Sequence, residues 1–154
     1  MKKMLAAVLA TAASFGAFAQ DAAEDVNGPT LFCTAVLAGD TRLAVIADKV
    51  DVAPIPFARM ERAPDRLANA GERKAIALWM QRRDECFVAG AEYRLKTLLP
   101  EEQSYADSLF AVQRGLSVRL LQGRLTYAQY NRERFDLFEG AKYEAGTAAA
   151  WAAW

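Results

Sequence analysis

Apolar residues return every three or four positions along most of this chain, and prolines and glycines cut that rhythm into segments. Pro29 suits the first turn of a helix, where its missing N–H leaves nothing unpaired. Phe32, Cys33, Val36 and Leu37 then predict one apolar face, with Gly39 as a stop. Asp40 can cap a second short helix that puts Leu43, Ile46, Ala47 and Val50 together. Pro54, Pro56 and Pro64 interrupt the pattern and make 51–64 a surface connection or extended strap. A single strand there would have no obvious partner.

A long amphipathic helix is predicted next, from about Asp65 or Glu72 to Leu98. Ile76, Trp79, Met80, Arg83, Cys86, Phe87, Gly90 and Arg94 form its stripe. Trp79 and Cys86 lie two turns apart on the same face. Pro100 breaks the ladder and restarts it, and Glu101 and Glu102 complement the positive end of the new helix. That helix carries Tyr105, Leu109, Val112, Leu116 and Leu120, and Gly123 ends it. Thr126 and Gln129 then have the spacing of a capping box, flanked by Leu125 and Tyr130 at the two positions of a hydrophobic staple. The last helix carries Phe135, Leu137, Phe138 and Ala141 to about Tyr143, with Gly146 as its stop. The expected fold is therefore all-α: a small bundle of four to five helices spanning 29–146. Segment 20–28 precedes it as a flexible lead, and an Ala/Trp tail, 147–154, follows it. No internal repeat and no glycine-rich phosphate loop is present.

The N-terminus changes the picture. Lys2 and Lys3 precede an apolar run from Met4 to Phe15, and Ala17-Phe18-Ala19 has the small-x-small form of a signal-peptidase site. The run is interrupted by Thr11, Ser14 and Gly16 and is shorter than the roughly 20 residues of a spanning helix. Residues 1–19 are therefore expected to be a cleaved signal peptide, giving a periplasmic protein without a transmembrane anchor. In an oxidising compartment the two cysteines, Cys33 and Cys86, have one intramolecular pairing open to them. They are 53 positions apart, and closing that loop would stabilise the fold by about 4 kcal/mol. Free thiols or intermolecular pairing are the alternative. A redox-active pair would more commonly be close in sequence, as C-x-x-C. The expected bond would pin the N-terminal helix to the long one, beside Trp79.

Composition narrows the chemistry. The chain has 154 residues, 53% hydrophobic, which suffices for one core and is too apolar for a disordered chain. Its 19 basic and 19 acidic side chains cancel, so the net basic charge of a general nucleic-acid binder is missing and no nucleic-acid partner is expected. It contains no histidine, which removes the usual serine and cysteine triads and the zincin motif. No calcium loop occurs, and neither a metal nor another cofactor is expected.

Carboxylates are the remaining acid–base groups: Asp84 with Glu85, Glu101 with Glu102, and Glu133, Asp136 and Glu139. A glycosidase needs two carboxyls facing each other, which adjacent helical positions do not provide. Arginines beside Glu133 and Asp136 point to solvated ion pairs instead. Arg82 with Arg83, and Arg132 with Arg134, could make a small anion patch, though solvated helix faces explain them as well. Arg83 and Arg94 fall near the apolar stripe and are expected to snorkel or to pair with a carboxylate of another helix. Asn131 is placed to hydrogen-bond a neighbouring helix.

The stretches Trp79-x₆-Cys86 and Gly123-Arg124-Leu125-Thr126-Tyr127-Ala128-Gln129-Tyr130-Asn131-x-x-Arg134 resemble a group of small exported helical proteins of Gram-negative bacteria. The resemblance covers about 29–140 and implies a signal peptide, an early cysteine and a helical fold. It implies no activity. The run Arg83-Asp84-Glu85-Cys86 is also similar to periplasmic lysozyme inhibitors of the helical, cysteine-bridged kind, which usually hold more cysteines.

These readings converge on a non-catalytic envelope interaction protein with an unidentified partner or ligand, acting through an apolar or aromatic surface. Trp79, Tyr127, Tyr130, Asn131 and the Trp151/Trp154 tail are the candidate contacts, because aromatic residues dominate binding hot spots. Each has a place in a core as its competing role. A lysozyme-type inhibitor, working through 51–64, and a carboxylate-dependent hydrolase are the alternatives.

Overall fold

The structure, a computed structural model, describes residues 28–52 and 63–152, the backbone alone from 142 onward. The signal peptide, nearly all of the flexible lead and most of the 51–64 strap lie outside the described residues. The described chain is all-α and carries the Cys33–Cys86 disulfide, with Cα atoms 5.4 Å apart. Its helices are α1 (Gly28–Val36), α2 (Ala70–Ala89), α3 (Ala91–Thr97), α4 (Pro100–Leu121) and α5 (Tyr127–Ala152).

α1 is rotated away from the expected face. Thr30, Thr34 and Leu37 are buried, whereas Phe32 and Val36 are 76% and 62% exposed. Two attachments set this rotation. Cys33 is bonded to Cys86, and Thr30 sits against Gly90, at the place where any side chain there would have to go. Thr30, Cys33, Thr34 and Leu37 thus form an i, i+3, i+4, i+7 stripe.

The segment after Asp40 buries Leu43, Ile46 and Val50 as expected, but not as an α-helix. The Asp40 carboxylate accepts the Arg42 amide at 3.0 Å, and the amides of Leu43, Ala44, Ile46, Ala47 and Lys49 then make i→i−3 bonds. This tighter winding aligns residues 43 and 46. Its exit is held from outside: Asn131 Nδ2 donates to the Lys49 carbonyl at 2.8 Å, and Arg134 Nη1 to the Asp51 carbonyl at 3.2 Å.

The long helix is divided at Gly90. It starts at Asn69, which forms a reciprocal capping box with Glu72. At the division Arg94 donates to the Phe87 carbonyl at 2.8 Å and to Thr30 Oγ1 at 2.9 Å. α2 and α4 run antiparallel, as the pairs Arg83–Gln113 and Phe87–Phe110 show.

α4 starts at Pro100 and ends where Gly123 adopts φ +69°. There the amides of Gly123 and Arg124 take the carbonyls of Leu120 and Arg119 at 3.0 and 2.8 Å. That is a Schellman stop, in which glycine carries no left-handed penalty. The expected Val112 faces solvent, and Gln113 turns inward instead.

α5 begins on the expected box. Thr126 N donates to Gln129 Oε1 at 2.9 Å, and Gln129 N to Thr126 Oγ1 at 3.2 Å. The staple residues Leu125 and Tyr130 join the main core. The helix does not stop at Gly146 but continues to Ala152. A single helical glycine costs only about 1 kcal/mol, and three alanines follow it.

The core has two parts. The larger gathers Leu43, Ile46, Val50, Ile76, Trp79, Leu116, Leu120, Tyr127 and Tyr130. The smaller joins Ala106 and Leu109 of α4 to Phe138 and Ala141 of α5.

Candidate functional site

Four of the residues expected to form a binding surface are interior. Trp79, Tyr127, Tyr130 and Asn131 are all buried. Tyr130 meets Trp79 edge-on, at 6.3 Å between ring centroids, and Asn131 spends its amide on the Lys49 carbonyl. Aromatic bulk at the helical seam is drawn into the core, where each ring removes a large area from water. These four are corrected to structural residues. The side chains of Trp151 and Trp154 lie outside the described residues.

The buried cations also differ from expectation. Arg83 finds no carboxylate from another helix as its hydrogen-bond partner; its Nη2 donates to Gln113 Oε1 at 2.6 Å. Its guanidinium lies over the Trp79 and Phe110 rings, at 5.2 and 5.8 Å from their centroids. Phe110 stacks on Phe87 at 3.8 Å, and Arg94 covers the other ring at 3.6 Å. A continuous Arg–Phe–Phe–Arg stack thus joins α2, α3 and α4. Burial pushes the Arg83 guanidinium down to about 10, which leaves it charged at neutral pH. Arg134 is buried too, and burial lowers it likewise. Arg82 is half-buried and paired with Glu85, and Arg132 is exposed, whereas Arg83 and Arg134 are buried, so neither arginine pair presents a joint anion patch.

Four of the candidate carboxylates are engaged, while Glu101 and Asp136 are exposed. Asp84 accepts from Arg114 at 3.0 Å, Glu85 from Arg82 at 2.8 Å, and Glu133 from Arg119 at 2.6 Å. Glu102 caps the Leu99 amide. Among the described residues the most buried acid is Glu72, which belongs to none of the adjacent or paired acids of the sequence. Arg66 grips both its oxygens, Lys49 stands 3.7 Å away, and Asn69 N donates to it. The Arg66 hydrogen bonds hold its carboxyl at about 2. Asn69-x-x-Glu72 was the sequence signal for it. Among the described residues no group of three or more acidic or cysteine side chains is placed to hold a metal ion. No described helix is long and apolar enough to cross a membrane.

The described residues form an open groove with a volume of about 660 Å³. α1 supplies Phe32, Cys33 and Val36, the turns after it supply Leu37, Gly39, Asp40 and Arg42, and α2 supplies Arg82, Glu85 and Cys86. The disulfide therefore joins its two walls. The rim charges are already matched: Arg42 Nη2 lies 2.6 Å from Asp40 Oδ2, and Arg82 Nη1 2.8 Å from Glu85 Oε2. The Arg42 hydrogen bonds pull the Asp40 carboxyl down to about 2. Phe32 and Val36 stand out as an i, i+4 ridge. Sequence reading missed this surface because it assigned both residues to the core. Their position beside a cysteine was the signal, since the bonded cysteine fixes which way the helix turns.

No family model, curated protein or solved structure matches the chain.

Proposed function

We propose that this chain is an exported, non-catalytic interaction protein whose groove beside Cys33–Cys86 receives an apolar segment of a partner protein in the cell envelope. One observation carries the reading: Phe32 and Val36 present large apolar side chains to solvent over a groove whose rim charges neutralise each other. A charged ligand finds no excess charge there. An enclosed small molecule would leave the protruding ridge unused, whereas an apolar segment of polypeptide covers ridge and groove together. The signal-like N-terminus and the resemblance to small exported helical proteins support the envelope location. The engagement of Asp84, Glu85 and Glu133 with arginines supports a role without acid–base chemistry.

A photo-reactive residue at position 42, on the rim, tests this in the producing cell. It should capture one defined partner, and Phe32→Ser should reduce the yield at least tenfold. A probe at position 112, equally open but on α4, should not capture that partner. Equal capture from both positions, or a yield indifferent to Phe32→Ser, would overturn the reading.

A further inference from the structure

We infer that the Cys33–Cys86 disulfide is a redox latch that holds α1 in place, so that reduction by a dithiol oxidoreductase dismantles the groove while the rest of the bundle stays folded. The consequence for partner binding rests on the proposed function; the release of α1 does not.

The two sulfurs are unequally placed. Both cysteines line the groove, but Cys86 is buried in α2 and Cys33 is half-buried on α1. The attack of a thiolate entering the groove is accordingly assigned to the sulfur of Cys33, the less buried residue of the two. It forms a bond to that sulfur, the Cys33–Cys86 bond breaks, and its electron pair leaves on Cys86. The second thiol of the donor then attacks the mixed disulfide and frees Cys33. Two electrons and two protons pass to this chain, and the donor ends as a disulfide.

Apart from the disulfide, α1 is held by the burial of Thr30 and Thr34, with Thr30 seated against Gly90 and Gly28 against the ring of Tyr93. α1 has nine residues, too few for an isolated helix in water. Its two large exposed residues, Phe32 and Val36, add nothing to the core. The Thr34 hydroxyl is satisfied within the helix, by the carbonyls of Thr30 and Leu31 at 3.0 Å. Thr30 Oγ1 accepts a hydrogen bond from outside the helix, from Arg94 Nη1 at 2.9 Å. By contrast, the main core closes across α2, α4 and α5 through Trp79, Leu116, Leu120, Tyr127 and Tyr130, none of which lies on α1. Leu37, just past the end of α1, belongs to that core and anchors the chain to it, so loss of α1 removes one wall of the groove and leaves the core in place.

The full oxidised chain, treated with a reduced thioredoxin-type dithiol without denaturant, gives the test. Alkylation and mass mapping should find both cysteines reduced. Amide hydrogen exchange over 31–37 should then accelerate at least a hundredfold, while 76–83 keeps its protection. Resistance of the bond to the dithiol, retained protection of 31–37 after reduction, or collapse of protection throughout would each overturn the latch. Photo-capture from position 42 by the oxidised and the reduced chain separates the two claims. If α1 is released and capture persists, the latch stands and the groove reading falls. If Phe32→Ser abolishes capture while 31–37 stays protected on reduction, the groove stands and the latch falls.

Discussion

Both carboxylate oxygens of Glu72 are held by the guanidinium of Arg66, at 2.6 and 2.7 Å, beneath the turn that leads into α2. The same carboxylate caps the helix through Asn69 N. Because these bonds hold its pKa at about 2, below the ordinary 4.5, the unfolded chain binds the proton more readily. The contribution of Glu72 is then complete above the ordinary value and is lost as pH falls from about 4.5 toward 2. Glu72→Gln should cost about 2 kcal/mol at pH 7. Urea midpoints of the two proteins should converge as the pH is lowered through that window.

Gly90 and Thr30 should behave as a coupled pair. A methyl group on Gly90 collides with the Thr30 side chain, so Gly90→Ala should destabilise by roughly 1–3 kcal/mol despite the better helix propensity of alanine. Thr30→Ala removes the obstructing hydroxyl and also the acceptor for Arg94. The double variant should therefore lose less than the two single losses added, by about 1 kcal/mol in a denaturation cycle.

Gln113 gives the buried Arg83 its short polar acceptor. Gln113→Leu strands a guanidinium in the interior and should cost about 2–3 kcal/mol. Arg83→Met with Gln113→Leu removes both polar groups and should recover most of that loss, as thermal melting would show.

Asn131→Ala should cost about 1–2 kcal/mol, because the Lys49 carbonyl loses its donor. Its capture yield from position 42 should match that of the unaltered chain wherever both are folded. Phe32→Ser should do the reverse, leaving stability within about 0.5 kcal/mol while removing capture.

Helix positions were largely legible in the sequence where the local signal was chemical. Pro100, Gly123 and the Thr126–Gln129 box mark their boundaries because each satisfies or removes a particular backbone group. The stripe through Ile76, Trp79, Met80, Arg83 and Cys86 was legible from its spacing. The rotation of α1 was not, because Phe32 and Val36 look like core until Cys33 and Thr30 are seen to fix the helix from the other side. Val112 misled for a related reason: an inward Gln113 makes sense only once Arg83 stands opposite. The winding of 41–50 depends on Asn131 and Arg134, side chains some eighty residues further along. The candidate site inherits these difficulties. Aromatic residues singled out for binding went to the core, and the exposed surface came from residues that apolar patterning had placed inside.

Gly39 offers the most direct measurement. It lines the groove at a point where an added Cβ meets no heavy atom within 4 Å, and its backbone is one that any residue adopts. Gly39→Trp should therefore fill the groove without disturbing the fold. An unchanged melting temperature, an intact disulfide and at least a tenfold loss of photo-capture from position 42 are expected. Full capture by a folded Gly39→Trp chain would contradict the groove as the docking site.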